Sequence, residues 1–519
     1  MAYLPAQRIA QLSVIAALSS GTAAQADVTP AQVWQGWQDY FTSLGYQLDA
    51  GARDESQGRL ALDDVTLTMT APEGTTTATL DRVVLAERAG AVAVTLPERI
   101  PVLTRGTSEA GEDVETAMSL TQAGTAFTVS GDPDDMSYDM SAQSAAMTVD
   151  SITVDGKPVE MRMTLTAHSP TGSAQLTGAG TGAGTGTGAG TGTGAQAMRY
   201  RGTTERVDLA MSVKDPDSTG TFTLDGTMAQ LSTQGALGKP AGLSDIADLQ
   251  AALRAGMTLE GTFTGGASKM SFALDDAQNS ASGEITGDSG SGSVRLGGAS
   301  LDYRAELAGT RLRAEGAQLP FPVELSAGRA VLGLGLPMTV TGQAEPFSIE
   351  TRLLDVAVND QIWSLIDPQA VLPRDPATLI LDLSGMARLT EALFTADPAA
   401  PAAAPPAAPE IEALTLDELK LSIAGADLSG RGAFTFDNAD MATFDGFPRP
   451  EGAIDLRLLG GNGLLERLVK LGLVPGEQAM AARLMSGIFA NAGPGEDELT
   501  SKIEVRPDGG VYANGQRIR

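Results

Sequence analysis

The residues that could carry out chemistry are few in this chain of 519 residues. It contains no Cys and a single His, His168, which stands in Ala167-His168-Ser169-Pro170. The absence of Cys excludes thiolate nucleophiles, disulfides and Cys-ligated metals, and one His excludes a His cluster. No Gly-x-Ser-x-Gly motif offers a serine nucleophile. We therefore predict no catalytic residue, cofactor or metal centre, and we place His168 in an exposed turn at a strand end.

Acidic side chains are abundant, with 64 Asp plus Glu. The stretch 215–220 begins like a calcium loop, but its twelfth position is Gly226 instead of Glu. Residues 131–135 are acidic without the rest of such a motif. Turns are the preferred interpretation of both stretches, with weak calcium binding as the alternative. A two-carboxylate hydrolase is a minor alternative, since the chain is poor in the aromatic platforms of sugar sites, with 13 Phe, 7 Tyr and 3 Trp.

The net charge of the chain limits the kinds of partner that it can bind. There are 35 Lys plus Arg, so the formal net charge is −29. Such a surface repels phosphate backbones, and we predict no nucleic-acid partner. Gly156-Lys157 and Gly238-Lys239 are each followed by Pro, so neither is a phosphate-binding loop.

The first residues indicate a compartment. The apolar run Ile9–Leu18 is too short to span a bilayer but suits the core of a signal peptide. Ala24-Gln25-Ala26 has the pattern that signal peptidase cleaves. We predict a signal peptide over 1–26, cleavage after Ala26 and a periplasmic location. No later stretch approaches 18 unbroken apolar residues, so no integral membrane segment is expected after cleavage.

The elements that would position any site are mostly strands. Apolar residues alternate with Thr and other polar residues, as in 65–70 and 207–213, which is typical of strands with one dry face. Asp155-Gly156, Asp225-Gly226 and 507–510 favour hairpin turns between them. The sequence predicts a mainly β fold built from long, curved antiparallel meander sheets, either an open barrel or sandwich-like.

A few helices interrupt this pattern. Thr29-Pro30 precedes an amphipathic helix that Gly45 ends, and shorter helices are predicted at Ser244–Ala255 and Asp360–Ile366. Residues 463–490 predict an αα-hairpin broken at Pro475-Gly476. We expect its apolar side chains to form either a fixed plug of the core or a movable cover over a groove. These side chains are Leu464, Leu468, Met480, Leu484 and Ile488.

Two low-complexity segments divide the chain. Residues 177–194 repeat Thr-Gly and Ala-Gly, and residues 396–409 are rich in Pro and Ala. They separate β-rich parts over 27–176, 195–395 and 410–519. We favour insertions within hairpins over linkers between domains, because strand patterns of the same kind flank each segment.

Three sequence segments resemble a known protein family. They are Trp363 followed by Asp367-Pro368, then Pro373-Arg374-Asp375-Pro376 leading into 379–383, and the closing stretch 510–518. Together they resemble an exported Gram-negative family, the domain of unknown function numbered 2125. That resemblance implies an envelope protein without an assigned activity, so no catalytic residue is carried over. The layout is more loosely similar to AsmA-like envelope proteins, whose long curved sheets hold acyl chains. We expect Arg374 and Asp375 to form a local ion pair, with a recognition site as the alternative.

The dry strand faces lead to a functional hypothesis. A sheet that is dry on one face must cover it with a sheet, helices or a ligand, and the predicted helices are few. We expect a non-catalytic protein that binds a lipid or another hydrophobic ligand in a groove. The alternative is a structural or interaction protein with a closed core.

Overall fold

A computed structural model describes residues 28–71, 74–108, 110–178, 195–214, 220–240, 249–276, 279–298, 300–391 and 408–519. It divides into two compact units. The N-terminal unit extends to Glu284 and includes Gly316–Gln318, and the C-terminal unit comprises Ile285–Glu315 and Leu319–Arg519. The division lies within a strand rather than in either low-complexity segment. The predicted signal peptide lies outside the described residues.

The N-terminal unit is built from strands with helices at two places. The predicted N-terminal helix is confirmed as α1, and part of the second predicted helix is present as α2, whose first predicted residues lie outside the described ones. The elements are α1 (Pro30–Ser43), β1 (Tyr46–Asp49), β2 (Ala52–Ser56), β3 (Arg59–Ala71), β4 (Gly74–Arg88), β5 (Ala91–Thr95), β6 (Arg99–Thr107), β7 (Asp113–Ala123), β8 (Ala126–Asp132), β9 (Asp135–Ser141), β10 (Ser144–Val154), β11 (Lys157–Val159), β12 (Met161–His168), β13 (Thr171–Thr177), β14 (Gln196–Lys214), β15 (Thr221–Lys239), α2 (Leu249–Arg254), β16 (Thr258–Gly265) and β17 (Ser268–Asp275). Strand β18 (Ala281–Gly287) contains the boundary between the units.

The C-terminal unit continues the same pattern. The first helix of this unit, α3, has the bounds that the sequence predicted, and the predicted αα-hairpin is confirmed as α4 and α5. The elements are β19 (Ser289–Gly297), β20 (Ser300–Gly316), β21 (Val323–Pro337), β22 (Glu345–Val358), α3 (Asp360–Ile366), β23 (Ala377–Arg388), β24 (Glu410–Ile423), β25 (Ala426–Asp437), β26 (Arg449–Leu459), α4 (Gly461–Lys470), α5 (Gly476–Phe489), β27 (Asn491–Ala492), β28 (Glu498–Val505), β29 (Val511–Ala513) and β30 (Gln516–Arg517).

The predicted fold class is confirmed, because each unit is mainly β and its strands pair antiparallel. In the C-terminal unit each strand from β19 to β26 pairs with the next along the chain. The helices α4 and α5 intervene before β28 returns to pair with β26. This part of the chain is therefore the meander that the alternating pattern predicted.

The N-terminal unit has a branched arrangement that alternation alone could not predict. Different halves of β4 pair with β5 and with β6, and two runs of strands start from these pairs. One run passes through β8, β9 and β13, and the other through β7, β10 and β12. Both runs end on β14, which pairs with β13 along one half and with β12 along the other.

Helix α1 closes the core of the N-terminal unit. The Thr29 hydroxyl accepts a hydrogen bond from the Gln32 N–H, and the Thr29 N–H donates one to Gln32 Oε1, so the helix starts at a capping box. Trp34 is buried, and Trp37 stacks on Phe127 with ring centroids 6.1 Å apart. The helix therefore covers the first strands of the unit with an apolar face, as its spacing predicted.

The turns show where local sequence is decisive and where it is not. Asp155 and Gly156 both have positive φ and join β10 to β11, as predicted. Gly509 has positive φ in the predicted turn between β28 and β29. The turn predicted at Asp225-Gly226 is wrong, because both residues lie inside β15 and pair with β14 and β17. Pairing on both sides outweighs the local turn preference there.

Both low-complexity segments connect strands that pair with each other. Thr177 in β13 pairs with Ala197 in β14, and Arg388 in β23 pairs with Glu410 in β24. Each segment thus joins two adjacent strands, as expected for an insertion in a hairpin. None of the helices in the described part of the chain is long and apolar enough to cross a bilayer.

Candidate functional site

The C-terminal unit carries long rows of apolar side chains on one face of its sheet. Cross-strand partners point to the same face, so a chain of partners traces a row across the strands. Two such rows cross the eight strands from β20 to β26 and β28. The first row consists of Leu307, Ala330, Leu353, Leu379, Leu421, Leu428, Leu458 and Leu499. The second row consists of Tyr303, Leu334, Ile349, Leu383, Leu416, Gly432, Ile454 and Ile503.

We call this surface the C-terminal apolar face. It also includes Leu332, which lies between the two rows on β21. At about 4.8 Å between neighbouring strands, a row over eight strands is about 34 Å long. One leaflet of the hydrocarbon core is about 15 Å thick, so a whole acyl chain would fit along the row.

The C-terminal apolar face is only partly covered. Leu307 is 52% exposed and Leu332 is 44% exposed, and Tyr303, Leu353 and Leu421 are also exposed. Large apolar side chains in a row on a strand are normally covered by another layer. The partial exposure of this row is what an apolar binding surface requires.

The opposite face of the same strands is charged. Arg352 on β22 forms ion pairs with Glu350, with Asp382 on β23 and with Glu418 on β24. Arg304 on β20 pairs with Glu350 across β21. This face carries ion pairs around buried apolar residues such as Val331 and Ile380, whereas the rows on the other face are apolar throughout. The difference fixes the strand register because a shift by one residue would exchange the two faces.

The N-terminal unit has a comparable row, which we call the N-terminal apolar face. The row is buried where it begins near α1, and the neighbouring positions Leu165, Met270 and Leu274 near its other end are exposed. The row crosses ten strands. Its members are Leu48, Leu67, Ala78, Val102, Met118, Val149, Met163, Met211, Leu224 and Phe272.

The hairpin of α4 and α5 is attached to the last strands of the C-terminal apolar face. The side chain of Leu458, a member of the first row, packs against Gly461 at the start of α4. At the other end of the hairpin, the carbonyl of Phe489 accepts hydrogen bonds from Ser501 Oγ at 2.6 Å and Asn514 Nδ2 at 3.0 Å. Ser501 pairs with Leu456, so its side chain points to the apolar face. Both ends of the hairpin are thus anchored on this side of the sheet.

The five side chains predicted to form a plug have two different environments. Leu464 and Leu468 on α4 are half-buried. Met480, Leu484 and Ile488 on α5 are exposed to solvent. Any plug or cover would therefore be formed by α4, while α5 presents its apolar side chains outward.

Asp497 holds the start of α4. Its carboxylate accepts hydrogen bonds from the N–H groups of Asn462 and Gly463, at 3.1 Å and 2.8 Å, and from Asn462 Nδ2 at 2.9 Å. Burial acts to raise the pKa of this carboxyl, but these hydrogen bonds and the nearby Arg467 together hold the pKa below its ordinary value. A negative charge at a helix N-terminus is favourable, so ionised Asp497 acts as a cap supplied from outside the helix.

The family-like segment 363–376 lies close to the same helix, α4, at the turn between β24 and β25. A Cβ at Gly425 would lie 2.9 Å from Pro373 Cγ and 3.3 Å from Arg467 Nη1. Gly425 has positive φ in the turn between β24 and β25. The structure therefore brings the family-like segment and the helical hairpin together at one turn, although the sequence presented them as separate features.

Asp367 organises the family-like segment. Its side chain is fully buried, and its oxygens accept hydrogen bonds from the N–H groups of Val371 at 2.9 Å and Leu372 at 2.6 Å. Burial again opposes ionisation, but these hydrogen bonds and Arg374 hold the pKa of Asp367 below its ordinary value. This is a structural carboxylate with its acceptors occupied, and it is not placed to react.

The other members of this segment have less specific roles. Arg374 pairs with Asp360 at 2.5 Å, so the expected local pair with Asp375 is wrong. The Asp360 carboxylate lies at the start of α3 and is closer in space than its sequence separation suggests. Trp363 is half-buried on α3, and the remaining residues are exposed. These are Pro368, Asp375 and Pro376.

Among the residues that the structure describes, His168 and the adjacent Ser169 do not form a Ser-His-Asp arrangement. His168 is the last residue of β12, so the predicted strand end is confirmed, but the predicted exposed turn is wrong because His168 pairs with β10 and β14 and is half-buried. Its Nε2 lies 2.7 Å from Asp208 Oδ2. The hydroxyl of the adjacent Ser169 donates to Glu205 instead. The acidic stretch 131–135 forms the turn between β8 and β9, as predicted, and 215–219 lies outside the described residues.

A comparison of the chain with protein-family models and with curated proteins gave no match. The resemblance to the domain of unknown function numbered 2125 therefore stays a prediction. The site rests on its own geometry, and three residues that organise it were missed by sequence reasoning. Gly425, Arg467 and Asp497 are far apart in sequence, and the one available signal was the ability of Gly425, between two strand patterns, to adopt positive φ.

Proposed function

We propose that this protein is an exported, non-catalytic protein of the cell envelope that binds an acyl chain or another hydrophobic ligand along its C-terminal apolar face. The observation that carries the proposal is the exposure of large apolar side chains on β20, β21, β22 and β24, led by Leu307 and Leu332, within apolar rows that cross eight strands. The predicted signal peptide and the family resemblance support a periplasmic location.

The energetics of this face suit a lipid. Full burial of a Leu side chain is worth about 1.5–3 kcal/mol, and Leu332 is 44% exposed. Covering what remains exposed would therefore contribute about 1 kcal/mol at this position. Each CH₂ that the ligand buries would add about 0.8 kcal/mol. A single acyl chain lying across several strands would thus bind without any polar contact.

The hydrolase alternative has less support. Among the acidic residues described, Asp437 and Asp440 are close neighbours because both form ion pairs with Arg449, at 2.9 Å and 3.1 Å. A hydrogen bond from Arg449 holds the pKa of Asp437 below its ordinary value, and hydrogen bonds from the hydroxyl and N–H of Thr443, with the charge of Arg449, do the same for Asp440. Neither is protonated at neutral pH, so this pair lacks the proton donor that a two-carboxylate mechanism needs.

The test uses the full mature chain. Organic extraction of the purified protein followed by lipid mass spectrometry is expected to release lipid in a fixed ratio to protein. Titration of extracted protein with a fluorescent fatty acid is expected to saturate. A chain that is empty after purification and does not bind the fatty acid would overturn the proposal in favour of an interaction protein.

A further inference from the structure

Helix α5 presents an apolar stripe to solvent. Met480 is 74% exposed and Leu484 is 71% exposed, and Ile488 continues the stripe at the same spacing of four residues. Met485 on the same helix and Leu473 in the connection to α4 are also exposed. Residues four apart lie on one side of a helix, so Met480, Leu484 and Ile488 form one stripe, and Met485 and Leu473 are further exposed apolar side chains of the same hairpin. We call these five residues the hairpin patch.

The buried side of α5 is unusually small. Ala479 is its one buried residue, and Ala481, Ala482 and Arg483 are exposed. Of its large apolar side chains, Phe489 at the C-terminal end is half-buried, whereas Met480, Leu484, Met485 and Ile488 are exposed. An ordinary surface helix buries such side chains, and their exposure is typical of a helix that lies on an apolar surface.

The hairpin patch is too small for a stable protein interface. At about 25 cal/mol per Å² and 1.5–3 kcal/mol per side chain, each buried aliphatic side chain represents roughly 60–120 Å². Five such side chains that are half to three-quarters exposed offer roughly 300 Å². A stable interface buries about 800 Å² on each partner. A bilayer needs no such area, because a few inserted apolar side chains can hold an interfacial helix there.

The charge around the hairpin patch also favours a membrane surface. Residues 460–519 contain seven Lys or Arg and seven Asp or Glu, whereas the whole chain contains 35 and 64. This end of the chain is thus neutral, and the net charge of −29 comes from the remainder. An acidic protein is repelled by anionic head groups, so a neutral segment is the part that can approach a bilayer closely.

We propose that the hairpin patch docks this protein on a lipid bilayer surface. Met480, Leu484 and Ile488 insert among the acyl chains at the interface, and α5 lies parallel to the membrane plane. This inference does not rest on the proposed ligand site. If both proposals hold, the hairpin joins the bilayer to the C-terminal apolar face, because both ends of the hairpin are anchored on that side of the sheet.

The experiment is flotation of the full mature chain with phosphatidylcholine vesicles, and in parallel with vesicles that contain phosphatidylglycerol. The test variant is Met480→Glu with Leu484→Glu. The matched control is Phe447→Glu, because Phe447 is also 74% exposed. Phe447 precedes β26, whereas the hairpin follows it, so the control lies at the opposite end of that strand.

We expect the wild-type chain and the control to float with phosphatidylcholine vesicles at low and at high salt, since the attraction is apolar. The double variant is expected to bind at least tenfold more weakly and to keep its circular dichroism spectrum, because both side chains are already exposed. Equal flotation of all three proteins, or flotation of none, would overturn the proposal. A wild-type dimer that the double variant converts to a monomer, without vesicle binding, would assign the patch to a second copy.

Fatty-acid titration of the same proteins keeps the two proposals separate. The double variant on α5 should still bind a fluorescent fatty acid, because its substitutions lie outside the apolar rows. A variant of the C-terminal apolar face should still float with vesicles. Either proposal can therefore fail while the other stands.

Discussion

Replacing Leu332 should weaken the binding of an acyl ligand by an amount that follows from its exposure. Leu332 lies between the two rows of the C-terminal apolar face and is 44% exposed, so a covering ligand gains about 1 kcal/mol there. Since 1.4 kcal/mol corresponds to a factor of ten, Leu332→Ala should lower the affinity for a fluorescent fatty acid about fivefold.

Leu332→Glu should have a larger effect. A glutamate has an ordinary pKa of about 4.3, so it is charged at neutral pH, and covering that charge with an acyl chain costs several kcal/mol. The ligand must then leave this strand uncovered, and we expect at least a tenfold loss. Adding Leu353→Glu on the neighbouring strand should abolish saturable binding.

The control for this series is Leu319→Glu. Leu319 is 41% exposed, close to the value for Leu332, but it lies outside the strands between β20 and β21. The Leu319→Glu variant should bind the fatty acid with the same affinity as the wild type. If Leu332→Glu and Leu319→Glu bind equally well while both remain folded by circular dichroism, the ligand does not lie on this face and the reasoning is refuted.

Three further predictions concern stability. Trp34→Ala should lower the free energy of unfolding by about 3–5 kcal/mol in chemical denaturation, because Trp34 is buried under the first strands. On β15, Gly226→Ala should raise the free energy of unfolding by about 0.5–1 kcal/mol, because a Cβ fits there at 3.6 Å from Leu209. Gly235→Ala on the same strand should lower the free energy of unfolding, because a Cβ would lie within 3.0 Å of a backbone carbonyl and the Tyr200 ring. Equal effects of the two would contradict this account. The amide hydrogens of α4 should be protected from exchange above the ordinary carboxyl pKa of about 3.9, and this protection should be lost as the pH falls through the lower folded-state pKa of Asp497. Asp497→Ala should remove this pH dependence.

Much of the fold could be predicted because its signals are local. Alternation of apolar and polar residues depends on two-residue spacing within a strand, and the α1 cap depends on Thr29, Pro30 and Gln32 alone. The break at Pro475-Gly476 likewise separates α4 from α5 without any distant contact. Such features depend on residues close together in sequence and not on which strands pair.

The remainder depends on pairing between distant segments. Asp225-Gly226 resembles a turn, but pairing with β14 and β17 holds it in a strand. Asp497 caps a helix that begins 36 residues earlier, at Gly461, which a local motif cannot indicate. The apolar rows were predictable as dry faces, but which side chains remain exposed depends on where α1 and the hairpin pack.

The shared strands of the N-terminal unit bear on how that unit responds to force and heat. Strands β3, β4, β14 and β15 each bond to different neighbours along their two halves, so both runs of strands are fastened to the same two strand pairs. Each run is held at both of its ends, by one ladder on β4 and one on β14, so neither run has a free end strand from which it could peel away. This unit should consequently melt in a single cooperative transition and resist the stepwise unzipping that a linear meander permits.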